Sequence, residues 1–250
     1  MANGTAGDET SMMEELDLRE KGRDAAGQPI YSDRRLFMQL LAFGNCPDLD
    51  VLTKSLEDSA INGTLYADIN DPQGVALVTA SEDPDFFLHA LRDFLTQSPF
   101  AACSPKPEFT MFGRSYSIGY EADLDHVLVK RPFERLCNPD QPWAVWYPLR
   151  RKGSFEQLSA EEQRDIMSEH GRLGALFSAG NHGQDIRLAC HGLDKNDNDF
   201  VIGLIGSKLY PLSAMVQTMR KTRQTAEFLA ELGPFLIGKA VWQRLPAELR

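Results

Sequence analysis

Hydrophobic and polar positions along this chain alternate between two periods, and the order of the periods repeats. Residues 35–43, Arg-Leu-Phe-Met-Gln-Leu-Leu-Ala-Phe, make a short apolar run closed by Gly44, a length that suits a buried strand better than a helix. Leu49, Leu52 and Leu56 recur at helical spacing and predict a helix over 48–58. Residues 63–69 and 74–80 are two β-rich runs joined by the turn signal Asn70-Asp71-Pro72, which predicts a hairpin. In the segment opened by Asp83-Pro84-Asp85, the residues Phe86, Phe87, Ala90, Leu91 and Phe94 share one helical face. A strand over 109–117 closes the set.

The same order then returns. Residues 143–149, Trp-Ala-Val-Trp-Tyr-Pro-Leu, predict a strand, and Ser159 with Glu162 three residues on is a capping box that starts a helix reaching about Ala179. Residues 186–190 and 200–205 predict two strands around the loop 192–199, residues 211–228 are helical in pattern, and 234–242 predict a last strand. A β-α-β-β-α-β unit cannot cover both faces of its own sheet, so two of them predict an α+β fold of paired ferredoxin-like halves whose sheets join or stack. The halves span 31–120 and 142–250. Residues 121–141 read as a connector between them, polar and helical, with Pro132 and Pro139 towards its end.

Charge changes the picture mainly by exclusion. The 250 residues carry 26 Lys and Arg against 36 Asp and Glu, a net charge of −10, so a cationic face for nucleic acid or an anionic membrane is not expected. Seven acidic and three basic residues between Asp8 and Asp24 predict a disordered acidic leader over 1–30. No apolar run approaches the roughly 18 residues of a membrane span, and the first thirty residues lack a signal-peptide pattern, which points to a cytoplasmic protein. Cys46, Cys103, Cys137 and Cys190 form no CxxC pair and read as buried thiols.

Candidate chemistry concentrates in the second half. The five histidines accompany no HExxH, GxGxxG, GxxxxGKS or GxSxG string. Trp143, Trp146 and Tyr147 share one strand, and Arg150, Arg151 and Lys152 follow it. His170 sits in Ile166-Met-Ser-Glu-His-Gly-Arg-Leu-Gly174, where glycines one and four residues later let the helix approach something flat. A histidine packed beside a helix-packing glycine is the plainer explanation of the same residues.

Four spaced segments carry a resemblance: 143–151, the stretch 161–171 with Met167-Ser-Glu-His-Gly171, the Gly192-Leu-Asp loop ending in Asn198-Asp-Phe200, and Met219-Arg220 followed by Glu231-Leu-Gly-Pro-Phe235 and Gly238. Together they resemble the chlorite dismutase and coprohaem decarboxylase superfamily, well over about the last 110 residues and in layout alone before that. The resemblance implies a dimeric α+β barrel, commonly in a homopentamer, with an iron porphyrin (haem b or iron coproporphyrin III) in the C-terminal half and His170 as its proximal ligand. Tyr147 then matches the decarboxylase tyrosine, whose phenol yields an electron and a proton and whose radical takes hydrogen from a propionate. Arg150, Arg151, Lys152, Arg220 and Thr225 fall where groups for propionates are useful, since guanidinium fits carboxylate in bidentate fashion. Tyr147 could instead simply pack, and the three cations could form a solvated strand end.

The distal group is open in the sequence. Counting back from Phe200 selects Arg187, counting back from Gly192 selects Asp185, and Gln184 and His182 remain alternatives; Arg187 is favoured because a cation over the iron can steer an anion or stabilise developing charge. Where chlorite dismutases place a glutamate against the proximal histidine, Ile205 stands here. The resemblance therefore implies a haem-dependent oxidoreductase whose small-molecule oxidant is hydrogen peroxide or chlorite. Its reaction is coprohaem decarboxylation in haem biosynthesis, with chlorite decomposition, or haem binding and transfer with weak peroxidase activity, as the alternatives.

Overall fold

The structure is a computed structural model and describes residues 16–46 and 48–249. Eight strands recur in the predicted order. The first half holds β1 (Phe37–Gly44), β2 (Gly63–Asp68), β3 (Val75–Ser81) and β4 (Met111–Arg114), with helices α1 (Leu49–Glu57) and α2 (Ala90–Gln97). The second holds β5 (Trp143–Arg151), β6 (Gln184–Ala189), β7 (Phe200–Gly206) and β8 (Leu236–Arg244), with helices α3 (Ala160–Ala179) and α4 (Leu209–Met219).

Each half orders its strands 4-1-3-2 in ferredoxin fashion, all antiparallel, and the two sheets close into one barrel. One seam is long: β2 pairs with β8 from Gly63↔Arg244 to Asp68↔Gly238. The other rests on a single pair, Arg114↔Ala189, between β4 and β6. Period-2 alternation sends Met38, Leu40, Tyr66, Val78, Trp146, Ile186, Leu188 and Ile205 into the barrel, and the intervening residues outward under the helices. Tyr147 therefore lies on the outer face with Val145, Leu149 and Leu204, one residue from the interior Trp146. Gly203 faces that tryptophan across the sheet, because a Cβ there would stand 2.5 Å from the indole ring.

Three segments differ from expectation. The part of the acidic leader within the described residues is not disordered, since Glu20–Arg23 and Pro29–Ser32 form a hairpin and Arg23 N donates to Glu121 O; residues 1–15 lie outside the described residues. The connector is helical, and beside its charges it carries an apolar face that is buried. Its π-helical turn His126–Lys130 runs through Pro132 into the helix Arg131–Leu136, burying Val127, Leu128, Val129, Phe133 and Leu136, with Phe133 and Leu136 in the barrel core. The helix expected over 211–228 breaks after Met219 and restarts as Arg223–Phe228, followed by a short strand Leu229–Leu232 on β5. The four cysteines are buried free thiols. Among the described residues no helix is long and apolar enough to cross a membrane.

Candidate functional site

Helix α3 starts at a complete capping box, in which Ser159 Oγ accepts from Glu162 N and Ser159 N donates to the Glu162 carboxylate at 3.0 Å. Only Ile166 is fully buried along its 20 residues, so it lies over the outer face of β5, β6 and β7 without sealing it. A cavity of about 290 Å³ remains between helix and sheet. Gly171 and Gly174 keep that space open: a Cβ at Gly171 would meet nothing within 4 Å, and one at Gly174 only Met219 Cε at 3.7 Å.

His170 lines the cavity from α3. Its Nδ1 lies 3.3 Å from Thr222 Oγ1, and Thr222 Oγ1 donates at 2.8 Å to Met219 O. With its proton held there, the hydroxyl accepts from Nδ1–H, which leaves the Nε2 lone pair for the cavity. No hydrogen bond among the described residues engages Nε2. Burial, reinforced by the Arg187 charge, pulls the His170 pKa below the ordinary histidine value and favours neutral imidazole.

Tyr147 enters from β5 by the alternation that turns Trp146 inward. Its ring packs on Phe235 at 4.8 Å between centroids, no hydrogen bond among the described residues engages its hydroxyl, and burial pushes its pKa well above that of free tyrosine. Register places Tyr147 opposite Ile202 and Ile202 opposite Arg187. The phenol and the guanidinium thus stem from the same row of one face, two strand spacings or roughly 10 Å apart.

Arg151 follows two residues after Leu149 on the same face. Its guanidinium sits 4.6 Å from the Phe155 ring and 4.8 Å from the Phe200 ring, and its buried Nε has no partner. Arg220 and Thr225 also line the cavity, and so do Gln184 and Asp185. Asp185 bridges Arg187 and Arg135, each at 3.1 Å. Apolar walls come from Met167, Ile202, Leu204, Met215, Val216 and Leu229.

Four residues singled out from the sequence lie off the cavity lining. Arg150 points away from the cavity, because alternation gives it the other face, and pairs with Glu231 and with Asp197 at 3.6 Å. Lys152 lies past the strand end and donates to Glu227 O at 2.7 Å. Ile205 is inside the barrel; the outward residue beside it, which lines the cavity, is Leu204. His182 is outside the lining, against Phe177. Reasoning from sequence missed Thr222, Arg135, Tyr116 and Gln224, the last with an unpartnered buried Oε1. None carried a local signal: Arg135 belongs to the connector, and Thr222 reaches His170 through the break after Met219.

An eight-stranded double-ferredoxin barrel with a histidine-bearing helix over an apolar, arginine-ringed cavity defines the class of protein. The model of the chlorite dismutase family matches residues 77–241, and the chain belongs to that family. Solved structures agree in fold. A heme-binding protein from Thermus thermophilus superposes with a TM-score of 0.63 at 18% identity, over 83% of this chain and 91% of that one. A mutant chlorite dismutase from Candidatus Nitrospira defluvii in complex with cyanide gives 0.62 at 15% identity, over 84% and 92%. The chlorite dismutase of the same organism in complex with imidazole gives 0.59 at 13% identity, over 84% and 92%.

Proposed function

We propose that the cavity holds an iron porphyrin through His170 Nε2 and that the protein is a haem-dependent oxidoreductase of the coprohaem decarboxylase kind. The residues present suit such a group. A neutral imidazole of fixed tautomer faces a space left open by two glycines, apolar side chains suit the faces of a macrocycle, and arginines ring it where carboxylates would reach. The observation that carries the decarboxylase reading is Tyr147, which lines the same cavity as His170 and whose hydroxyl has no hydrogen-bond partner among the described residues.

When bound, the iron porphyrin supplies the one-electron oxidising chemistry that hydrogen peroxide drives. Tyr147 Oη is then the atom that gives up a proton with an electron and takes a hydrogen from a propionate side chain. Each propionate becomes a vinyl group with release of CO2, consuming a peroxide and a proton and forming two waters. Arg151 and Arg220 bind carboxylates; Arg151 is fixed for this by the two phenylalanine rings. Burial keeps Tyr147 protonated until its electron leaves. Arg187 faces the cavity as the distal cation, and Asp185, already shared between two arginines, anchors it.

Arg187 also favours a second reading, chlorite decomposition, because a cation on the cavity wall suits an anionic oxidant. Against it, no carboxylate among the described residues hydrogen-bonds His170, whose partner is the Thr222 hydroxyl. Loading the protein anaerobically with iron coproporphyrin III and titrating with peroxide separates the readings. Mass spectrometry should show a product lighter by two carboxyl groups; an unchanged mass with rapid oxygen release from chlorite selects the second reading, and neither event leaves haem binding or transfer. The homopentamer implied by the resemblance is proposed alongside and is read from the molar mass in solution.

A further inference from the structure

We propose that Cys46 and Cys103 are a disulfide site, a cross-link that the fold prepares in the first half of the chain and that a small disulfide such as oxidised glutathione completes. It lies apart from the histidine cavity, whose lining contains neither residue. Both cysteines are free thiols in the structure and are buried in one apolar cluster between the first-half sheet and helices α1 and α2. The Cys103 thiol is a direct neighbour of the Cys46 thiol. Cys137 and Cys190 sit elsewhere, in the barrel core, where the first lies against Gly63 O and Arg244 O and the second against Asn198 O.

The backbone brings the pair together from both sides. Strand β1 ends on the pairs Phe43↔Pro105 and Gly44↔Ser104. Paired strands stand about 4.8 Å apart, within the roughly 4.4–6.8 Å between Cα atoms that a disulfide spans. Continued by one residue, that register sets Asn45 against Cys103. Asn45 is left-handed at φ 52°, a conformation that asparagine tolerates, and it ends the alternation: Cys46 N donates to Gln73 O at 3.0 Å, and the thiol turns into the cluster beside Cys103. Asn45 Nδ2 donates to Ser104 Oγ at 2.9 Å, and the Phe43 and Phe100 rings, each three residues before a cysteine, meet edge to face at 5.5 Å. Contacts outside the thiols therefore already hold the two segments that the bond would join.

The chemistry is thiol–disulfide exchange. One cysteine sulfur attacks the small disulfide and releases one small thiol; the second cysteine attacks the resulting mixed disulfide and releases the other. The pair loses two protons and two electrons, which leave on the two small thiols. Burial pushes the Cys46 thiol up to about 12, and the cation beside it, Lys106, is already shared by Asp68 at 3.3 Å and Asp71 at 2.9 Å. The attacking thiolate is therefore scarce in the closed fold, so the exchange runs while the chain folds, and the closed fold afterwards shields the bond from reductants. The loop that it closes contains α1, β2, β3 and α2, and a long loop is the kind whose closure stabilises most.

Refolding the full chain from urea with oxidised or with reduced glutathione, followed by acid quench, denaturation and N-ethylmaleimide, reads the bond directly. After oxidised glutathione, two of the four cysteines should be alkylated, and a digest should join the peptides of Cys46 and Cys103; after reduced glutathione all four should be alkylated. The cross-linked protein should melt at least about 5 °C above the reduced one and lose that margin once unfolded in dithiothreitol. Cys46→Ser and Cys103→Ala should each abolish the internal bond and the gain in melting temperature, and the wild-type mass decides the matter even where a variant folds poorly. Four alkylated cysteines after oxidised glutathione, glutathione adducts in place of the internal bond, a bridge to Cys137 or Cys190, or a cross-linked protein that melts no higher than the reduced one overturns the site.

Discussion

The Nδ1 of His170 and the hydroxyl of Thr222 lie 3.3 Å apart, so a neutral side chain orients the histidine that lines the cavity. The hydroxyl proton is directed to Met219 O at 2.8 Å, which leaves oxygen lone pairs for Nδ1–H and fixes the tautomer. A carboxylate in that place would push negative charge onto the ring and raise its basicity; a threonine only holds it.

Thr222→Val keeps the shape and deletes the acceptor. The 15N shifts of His170 in the porphyrin-free protein should move from a single Nδ1–H tautomer to a mixture, with a stability loss of about 1 kcal/mol from the lost hydrogen bonds. An unchanged tautomer would show that Thr222 does not set it.

Tyr147→Phe should leave folding nearly unchanged, because the hydroxyl has no hydrogen-bond partner among the described residues and the tilted ring contact with Phe235 survives. Porphyrin affinity should also persist, while loss of carboxyl groups under peroxide should stop. Affinity and product mass, measured on the same sample, check both halves of the expectation.

Gly203→Ala probes the barrel. Its Cβ would fall 2.5 Å from the Trp146 ring, a fully buried side chain with little room to retreat, so overpacking should cost about 1–3 kcal/mol. Urea unfolding gives the value. A cost near zero would mean that Trp146 is looser than the packing indicates.

Alkaline pH should destabilise the fold through its thiols. Burial pushes Cys46 and Cys190 up to about 12 and Cys137 to about 11. Below the ordinary thiol value of about 8.5 both folded and unfolded states keep these protons. As pH rises past it the unfolded state ionises first, so stability is present below that point and is lost towards the raised native values. The melting temperature should fall progressively above about pH 9, and a thiol reagent near neutral pH should modify these cysteines only after unfolding.

Much of this was legible from two periods alone. The alternation of β5 separates Trp146 from Tyr147 and places Leu149 and Arg151 on the cavity side. Applied further along the same strand, the rule excludes Arg150, and on β7 it turns Ile205 into the barrel and Leu204 to the cavity; a run of adjacent residues read as one group hides that alternation. His170 was legible from its glycines, because their missing side chains make the space. Thr222, 52 residues away, was not, since it depends on a helix break that periodicity over 211–228 conceals. Arg135 was hidden for another reason: apolar residues among the connector's charges draw the connector into the barrel core and carry this arginine to the cavity.

The most direct measurement is the absorption spectrum of the purified protein titrated with haemin, beside that of His170→Ala. Wild type should saturate at one haemin per chain and shift the Soret band to that of an imidazole-ligated iron, and His170→Ala should lose that shift while remaining folded. The same spectrum in both proteins would contradict His170 as the iron ligand and, with it, the function proposed for this cavity.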